Sequence, residues 1–267
     1  MKTGRIRVGV GGWSFAPWRD NFYPRGLPQA QELGFASQQL SAIEINATFY
    51  RTQTPESFRR WADESPGDFV FAVKAHRLTT HRKVLADNGP AIEHFLSTGL
   101  LELGEKLGPI VWQFAPTKRF EPDDFEAFLR LLPKASGGRR LRHVLEVRHE
   151  SFCAPDFIAL ARRHACAICL AESDAYPMIG DITADFIYVR LQKSSAALDA
   201  GYAAGEIDQW RDRALCWAKG EQPADLPYVS GTPAPKRPAR DVFIFFIAGA
   251  KEKNPAAARA LIARLSQ

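Results

Sequence analysis

The chain has 267 residues, 46% hydrophobic and 24% charged, and carries a formal net charge of +5. That composition excludes a disordered or fibrous polymer, and the length suits one α/β barrel, so residues 1–267 are read as a single domain. Four cysteines are too few for a disulfide scaffold, no apolar run is long enough to cross a bilayer, and the modest basic excess fits an anionic ligand or nucleic acid but is more often an ordinary feature of a globular protein.

The first residues lead into a strand without the apolar core of a signal peptide, so a reducing, cytoplasmic setting is expected. Residues 5–12 alternate toward a glycine-rich end and predict the first strand. A long aromatic loop follows, with Trp13, Trp18 and Tyr23 as exposed rings. Residues 29–40 have helical periodicity, and residues 42–46 form the second strand. Thr54 before Pro55 predicts a capped helix running to about residue 64.

Residues 68–75 predict the third strand, followed by a basic loop over 76–83 and a helix over 90–103. The fourth strand is read over 110–114 and a helix over 121–132; the fifth strand covers 143–148, with a helix over 155–164. Residues 166–171 are the sixth strand. Cys166 and Cys169 lie three apart on it and must face opposite ways, so they are read as buried thiols and not as a disulfide or metal clamp. Residues 186–191 are the seventh strand, and 205–218 a helix with Trp210 and Trp217 on its buried stripe. Residues 220–240, rich in Pro, Gly and charge, read as a loop insertion. The eighth strand spans 241–246 and the closing helix 255–265. Eight strands alternating with helices predict a single (β/α)8 TIM-like barrel, and no dinucleotide-binding glycine motif follows the first strand.

In such a barrel, chemistry collects where the strands end. Glu44 and Asn46 share one face of the second strand, which opens into an aromatic and basic loop at Tyr50 and Arg51. The other polar strand ends are Lys74 with His76, Gln113, Glu146 with Arg148, Glu172, and Arg190; Trp13 adds an aromatic wall. Glu44 and Glu146 are the candidate acid/base pair. Lys74, set among Phe71, Ala72, Val73 and Ala75, fits either a Schiff-base amine or a fixed cation. Lys74, Arg148 and Arg190 outnumber the two glutamates by one charge, so the cavity is expected to hold an anion. Glu44, His76, Glu146 and Glu172 lack any metal-ligand spacing, and no metal is expected.

These residues resemble the YecE-like family, domain of unknown function 72. The resemblance covers nearly the whole chain and rests on Gly12-Trp13-Ser14, Trp18 with Phe22-Tyr23-Pro24, and the run from Glu44 to Arg51. It continues through Phe71-Ala72-Val73-Lys74-Ala75, Lys106-Leu107-Gly108-Pro109 with Gln113, Glu146-Val147-Arg148-His149, and Ala184 to Leu191. It implies a fold similar to a TIM barrel and leaves the reaction to be argued from the residues. The chain departs from the family pattern at Gln192-Lys193, where His-Gly is usual, and at Ile247-Ala248, where paired asparagines are usual. A Pro-Pro pair after the fourth strand is replaced by Ala115-Pro116.

Together these features predict an enzyme acting on a small polar, anionic or polyhydroxylated molecule by acid/base chemistry, with no cofactor and no membrane partner. The alternatives are a nucleic-acid-binding or nuclease-like barrel, using residues 76–83 and 236–240 with Trp13, Trp18 and Tyr23 as stacking surfaces, and a non-catalytic ligand-binding barrel.

Overall fold

A computed structural model describes residues 3–267; Met1 and Lys2, where the expected leader-free N-terminus begins, lie outside the described residues. In chain order the elements begin with β1 (Ile6–Gly11), α1 (Glu32–Gln39), β2 (Ala42–Ile45), the single turn α2 (Ala47–Tyr50) and α3 (Pro55–Asp63). Next come β3 (Val70–Lys74), α4 (Gly89–Ser97), β4 (Leu107–Gln113), α5 (Pro122–Leu131) and a small hairpin of β5 (Ala135–Ser136) and β6 (Arg139–Arg140). The chain ends with β7 (His143–Glu146), α6 (Pro155–Arg163), β8 (Ala167–Glu172), β9 (Phe186–Leu191), α7 (Ala204–Ala218), β10 (Asp241–Phe246) and α8 (Asn254–Leu265).

All strands but β5 and β6 pair in parallel and close into one barrel, in the order β1, β2, β3, β4, β7, β8, β9, β10 and back to β1. This is the (β/α)8 architecture that the alternating elements predict.

Period-two alternation divides each strand between two apolar cores. Ile43, Ile45, Phe71, Val73, Ile187, Val189, Ile244 and Phe246 belong to the outer core, which the helices cover. Ala42, Ala72, Val144, Phe186, Tyr188, Phe243 and Phe245 fill the inside. The filling is lopsided: β9 and β10 supply the rings, while β2 and β3 supply alanines to receive them. On β1 even a methyl group is excluded at Gly9, where a Cβ would stand 1.8 Å from the carbonyl oxygen of Ala42.

Two helix boundaries differ from the sequence expectation. Residues 29–31 form a separate 3-10 turn before α1. The helix expected over 90–103 stops at Ser97, because Gly99 turns left-handed (φ 100°) and the chain continues as a 3-10 segment from Leu100 to Lys106. A side chain there would meet Pro55 Cα at 2.6 Å, so only glycine allows this crossing of α3.

The aromatic loop after β1 corrects a second expectation. Trp18 and Tyr23 are not exposed stacking surfaces: they are 0% and 5% exposed, packed with Phe15, Phe22 and Phe35. The indole nitrogen of Trp18 donates to the carbonyl of Lys251 at 2.8 Å, and the Tyr23 hydroxyl donates to the carbonyl of Trp13. This aromatic knot ties the loop to the turn after β10.

Cys166 and Cys169 are free and buried, the first in the outer core and the second inside the barrel, as strand parity requires. Residues 220–240 carry no helix or strand and are pinned by buried side chains. Asp181 accepts from the backbone N–H groups of Val229 and Ser230 at 2.6 and 3.0 Å, and Arg240 donates to the carbonyls of Gly220 and Pro235. Among the described residues no helix is long and apolar enough to cross a membrane.

Candidate functional site

Strand parity brings Glu44, Lys74, Gln113, Glu146 and Arg190 onto the inward face at the C-terminal ends of five strands. Each belongs to the same alternating set as the interior residue two places before it: Ala42, Ala72, Val111, Val144 and Tyr188. A buried charge is tolerated only when paired, and Arg190 is the pivot that pairs this layer. Its guanidinium donates to Glu146 Oε2 at 2.5 Å and to Glu44 Oε1 at 3.1 Å, so one cation spans both carboxylates. Tyr188 closes the other side of Glu44, its hydroxyl donating to Oε2 at 2.7 Å. Gln113 donates to Glu146 at 2.8 Å, and Arg148 grips the remaining Glu146 oxygen through Nε (3.1 Å) and Nη2 (2.8 Å). Tyr176 stacks under that guanidinium, 4.4 Å from Arg148 Cζ to the ring centroid.

Both glutamates are 0% exposed and engaged on both oxygens. Burial pushes the Glu146 carboxyl up, but Arg190, Arg148 and Lys74 together outweigh it and hold the group down at about 2. Glu146 is therefore a fixed anion at neutral pH. Burial and the Glu44 carboxylate push the Tyr188 phenol well above its usual value, which keeps it a neutral donor.

Lys74 is the exception in this layer. Among the described residues its amine makes no ion pair and no hydrogen bond to a side chain or carbonyl; Nζ stands 3.9 Å from the centroid of the Phe49 ring. Burial lowers its pKa, Arg190 lowers it further, and Glu44 and Glu146 pull it partly back, leaving about 8.

A cleft of about 1020 Å³ opens above the layer, with Lys74 and Arg190 at its floor. Trp13, Asn46, Tyr50 and Arg51, all expected at the site, line its wall. Asn46 precedes the turn of α2 without a side-chain capping bond, and the turn carries Tyr50 to the rim, where it is 68% exposed. The remaining charged lining is Arg60, Glu64 and Lys251, so five cations (Arg51, Arg60, Lys74, Arg190, Lys251) face one carboxylate. Glu44, Gln113, Glu146 and Arg148 lie beneath or beside the cleft and do not line it.

Two expected residues stand elsewhere. Cys169 points inward on β8, so Glu172, three places on, points outward. Its carboxylate accepts from Tyr202 at 2.7 Å and from the Trp210 indole at 3.3 Å, between barrel and helices. His76 caps the turn Arg77–Thr79, its Nδ1 accepting from the backbone N–H of Leu78 at 3.3 Å. Glu44, His76, Glu146 and Glu172 therefore do not converge. Among the described residues no group of three or more His, Cys, Asp or Glu side chains is placed to hold a metal ion.

Sequence reasoning missed Tyr188 and Lys251. Tyr188 carried a signal, since it sits two residues before Arg190 on the same inward face. Lys251 carried none: it follows β10 in a loop, and only the packing of that loop against Phe15 and Trp18 brings it to the cleft. Ile247 and Ala248 also line the cleft.

The family described as "Protein of unknown function DUF72" matches residues 7–267. The chain is similar to the UPF0759 protein YunF of Bacillus subtilis (strain 168), 26% identical over 157 residues, which cover 57% of this chain and 54% of that protein. It is also similar to the UPF0759 protein YecE of Escherichia coli (strain K12), 26% identical over 149 residues covering 56% of this chain and 50% of that protein. These matches thus span about half the length of either relative. The crystal structure of a DUF72 family protein from Thermotoga maritima MSB8 superposes with a TM-score of 0.73 at 20% identity, covering 98% of this chain and 100% of that one. At that identity the likeness is one of fold.

Proposed function

The chain belongs to the DUF72 family, and on that premise we propose that the cleft over the barrel mouth is the active site of an enzyme acting on a small polar, anionic or polyhydroxylated molecule by acid/base chemistry. The observation that carries this reading is the charge of the lining: beyond Arg190, which with Arg148 consumes the carboxylates of the floor, Arg51, Arg60, Lys74 and Lys251 face Glu64 alone, and Glu64 stands 3.9 Å from Arg60. An anionic group entering the cleft gains charge-assisted hydrogen bonds without displacing an existing partner of Lys74. Asn46, Gln53 and Ser14 supply neutral donors and acceptors for hydroxyl groups, and Trp13 and Tyr50 supply flat apolar faces against a carbon skeleton.

The proton-transfer role falls to Lys74. An amine with a pKa near neutrality, facing the ligand and free of a fixed partner, can give and take a proton within one turnover. Glu44 and Glu146 then hold the Arg190 guanidinium in place and set the charge around Lys74. The burial of Trp18 and Tyr23 removes two of the three rings that a nucleic-acid strand would stack on, which favours a small molecule.

Calorimetric titration with phosphate, citrate and a sugar phosphate tests the reading. At least one should bind and raise the melting temperature, and Arg51→Ala or Arg60→Ala should each weaken it about tenfold, the worth of one charge-assisted hydrogen bond. Arg51 and Arg60 are exposed, so neither variant threatens the fold. Failure of every anion to bind, or binding indifferent to both substitutions, removes the cleft as the site.

A further inference from the structure

We propose that Lys74 is an imine-forming amine and that the substrate of the cleft is a small carbonyl compound carrying an anionic group. The inference rests on the cleft being an anion site and adds the bond that forms there.

The environment of Lys74 separates a nucleophile from a fixed cation. Fixed cations in this layer are paired: Arg190 with both glutamates and Arg148 with Glu146. Lys74 is just as enclosed, 6% exposed, yet among the described residues its amine has no partner except the Phe49 ring face. Losing its proton therefore breaks no ion pair. The strand end that carries it is fixed, because the Thr48 hydroxyl donates to the Lys74 carbonyl at 2.7 Å and the Ala75 N–H bonds the neighbouring strand at 2.9 Å. Lys74 lines the cleft although only 6% of it is exposed. The charged and titratable groups that act on it are Arg190, Glu44, Glu146 and Arg148, with His81 packed on the Phe49 ring. Their balance, with burial, brings the amine to about 8, so that about a tenth is free base at pH 7.

The step is redox-neutral. The nitrogen lone pair attacks the carbonyl carbon, a C–N bond forms, and the π pair moves to oxygen. One proton passes from nitrogen to that oxygen, giving a carbinolamine. The C–O bond then breaks, and the oxygen leaves as water with a second proton from solvent. The sum is one ammonium and one carbonyl giving one protonated imine and one water. The imine nitrogen can then accept the electron pair released when a bond to the neighbouring carbon breaks. Arg51 and Lys251 are lining cations outside the Arg190–glutamate pairs, left to hold the anionic group of the same molecule.

Reductive trapping tests this directly. The full chain is incubated with pyruvate and cyanoborohydride, with acetone as the uncharged control, and the adducts are mapped by peptide mass spectrometry. The expected result is an adduct on the Lys74 peptide whose pyruvate-to-acetone rate ratio exceeds, by at least about tenfold, the ratio the same two compounds give with a free lysine side chain, the worth of one anion contact. Its rate should rise with pH through about 8 and be absent in Lys74→Met. Mapping the unsubstituted chain keeps the result independent of whether that variant folds. Adducts spread over other lysines with Lys74 unmodified overturn the proposal, as does a pyruvate-to-acetone ratio at Lys74 no higher than that of the free side chain. If pyruvate raises the melting temperature yet leaves Lys74 unmodified, the imine falls and the anion site stands. If neither pyruvate, phosphate nor citrate binds, the anion site itself has failed.

Discussion

At the scale of single residues, Glu146 concentrates the electrostatics of the site. Four donor atoms from three residues converge on its two oxygens, with no solvent contact. Replacing it by glutamine leaves Arg190 and Arg148 short of a charge in a dry layer, a change that costs about 3–5 kcal/mol in comparable settings. Its carboxyl is held at about 2 in the fold and returns to its ordinary value of 4.5 on unfolding. A depressed acid stabilises the fold above its unfolded pKa and loses that contribution as pH falls through the folded one. Urea unfolding should therefore show stability falling by about 3 kcal/mol between pH 4.5 and 2, and Glu146→Gln should flatten that dependence. An unchanged slope in the variant would assign the acid sensitivity elsewhere. Ala248 makes a separate case. Its φ of 65° is left-handed, a conformation that costs a residue with a Cβ about 1 kcal/mol. Ala248→Gly should raise stability by about that amount, and asparagine should do likewise, since its side chain tolerates the same region.

At the scale of elements, strand parity explains more than any other feature. It separates Cys166 from Cys169, and burial pushes both thiols up, Cys166 to about 12. In native protein at pH 8, thiol titration should label exposed Cys153 first and reach Cys166 and Cys169 only on unfolding. Non-reducing peptide mapping should find no bridge between them. Close packing of β1 on β2 is equally strict. Gly9→Ala puts a methyl group into the carbonyl of Ala42, and a backbone atom cannot move aside as a side-chain tip can. Its cost is expected at about 3 kcal/mol, read as a lowered urea midpoint; a neutral substitution would mean that the pair can part. Much of this scale was legible in the sequence, because alternation, Pro55 after Thr54 and the glycine-rich strand end are local signals. The break at Gly99 was not legible, because its cause is the crossing of Pro55, 44 residues earlier.

At the scale of the whole molecule, the barrel joins residues that are remote in sequence, and its ends are tied together by loops. We propose that residues 3–267 unfold as one domain, with 220–240 as an insertion anchored through Asp181 and Arg240. Tryptophan fluorescence and far-ultraviolet circular dichroism should then report one coincident transition, whereas an early separate phase would detach the insertion. The sequence by itself determined the barrel, the opposed cysteines and the inward placement of Glu44, Lys74, Gln113, Glu146 and Arg190, since each depends on a periodicity visible within a few residues. Glu172 and His76, by contrast, were expected at the site and stand elsewhere. Only the tertiary structure decided which charges are consumed and which are free. Arg190 meets Glu44 across 146 residues of chain and Tyr188 meets it across 144, contacts set by strand order and register. Composition showed one positive charge in excess among the candidates. Closure of the barrel assigned that excess to Lys74, because the guanidinium groups reach the carboxylates in pairs and leave the shorter amine over a ring face with no anion of its own.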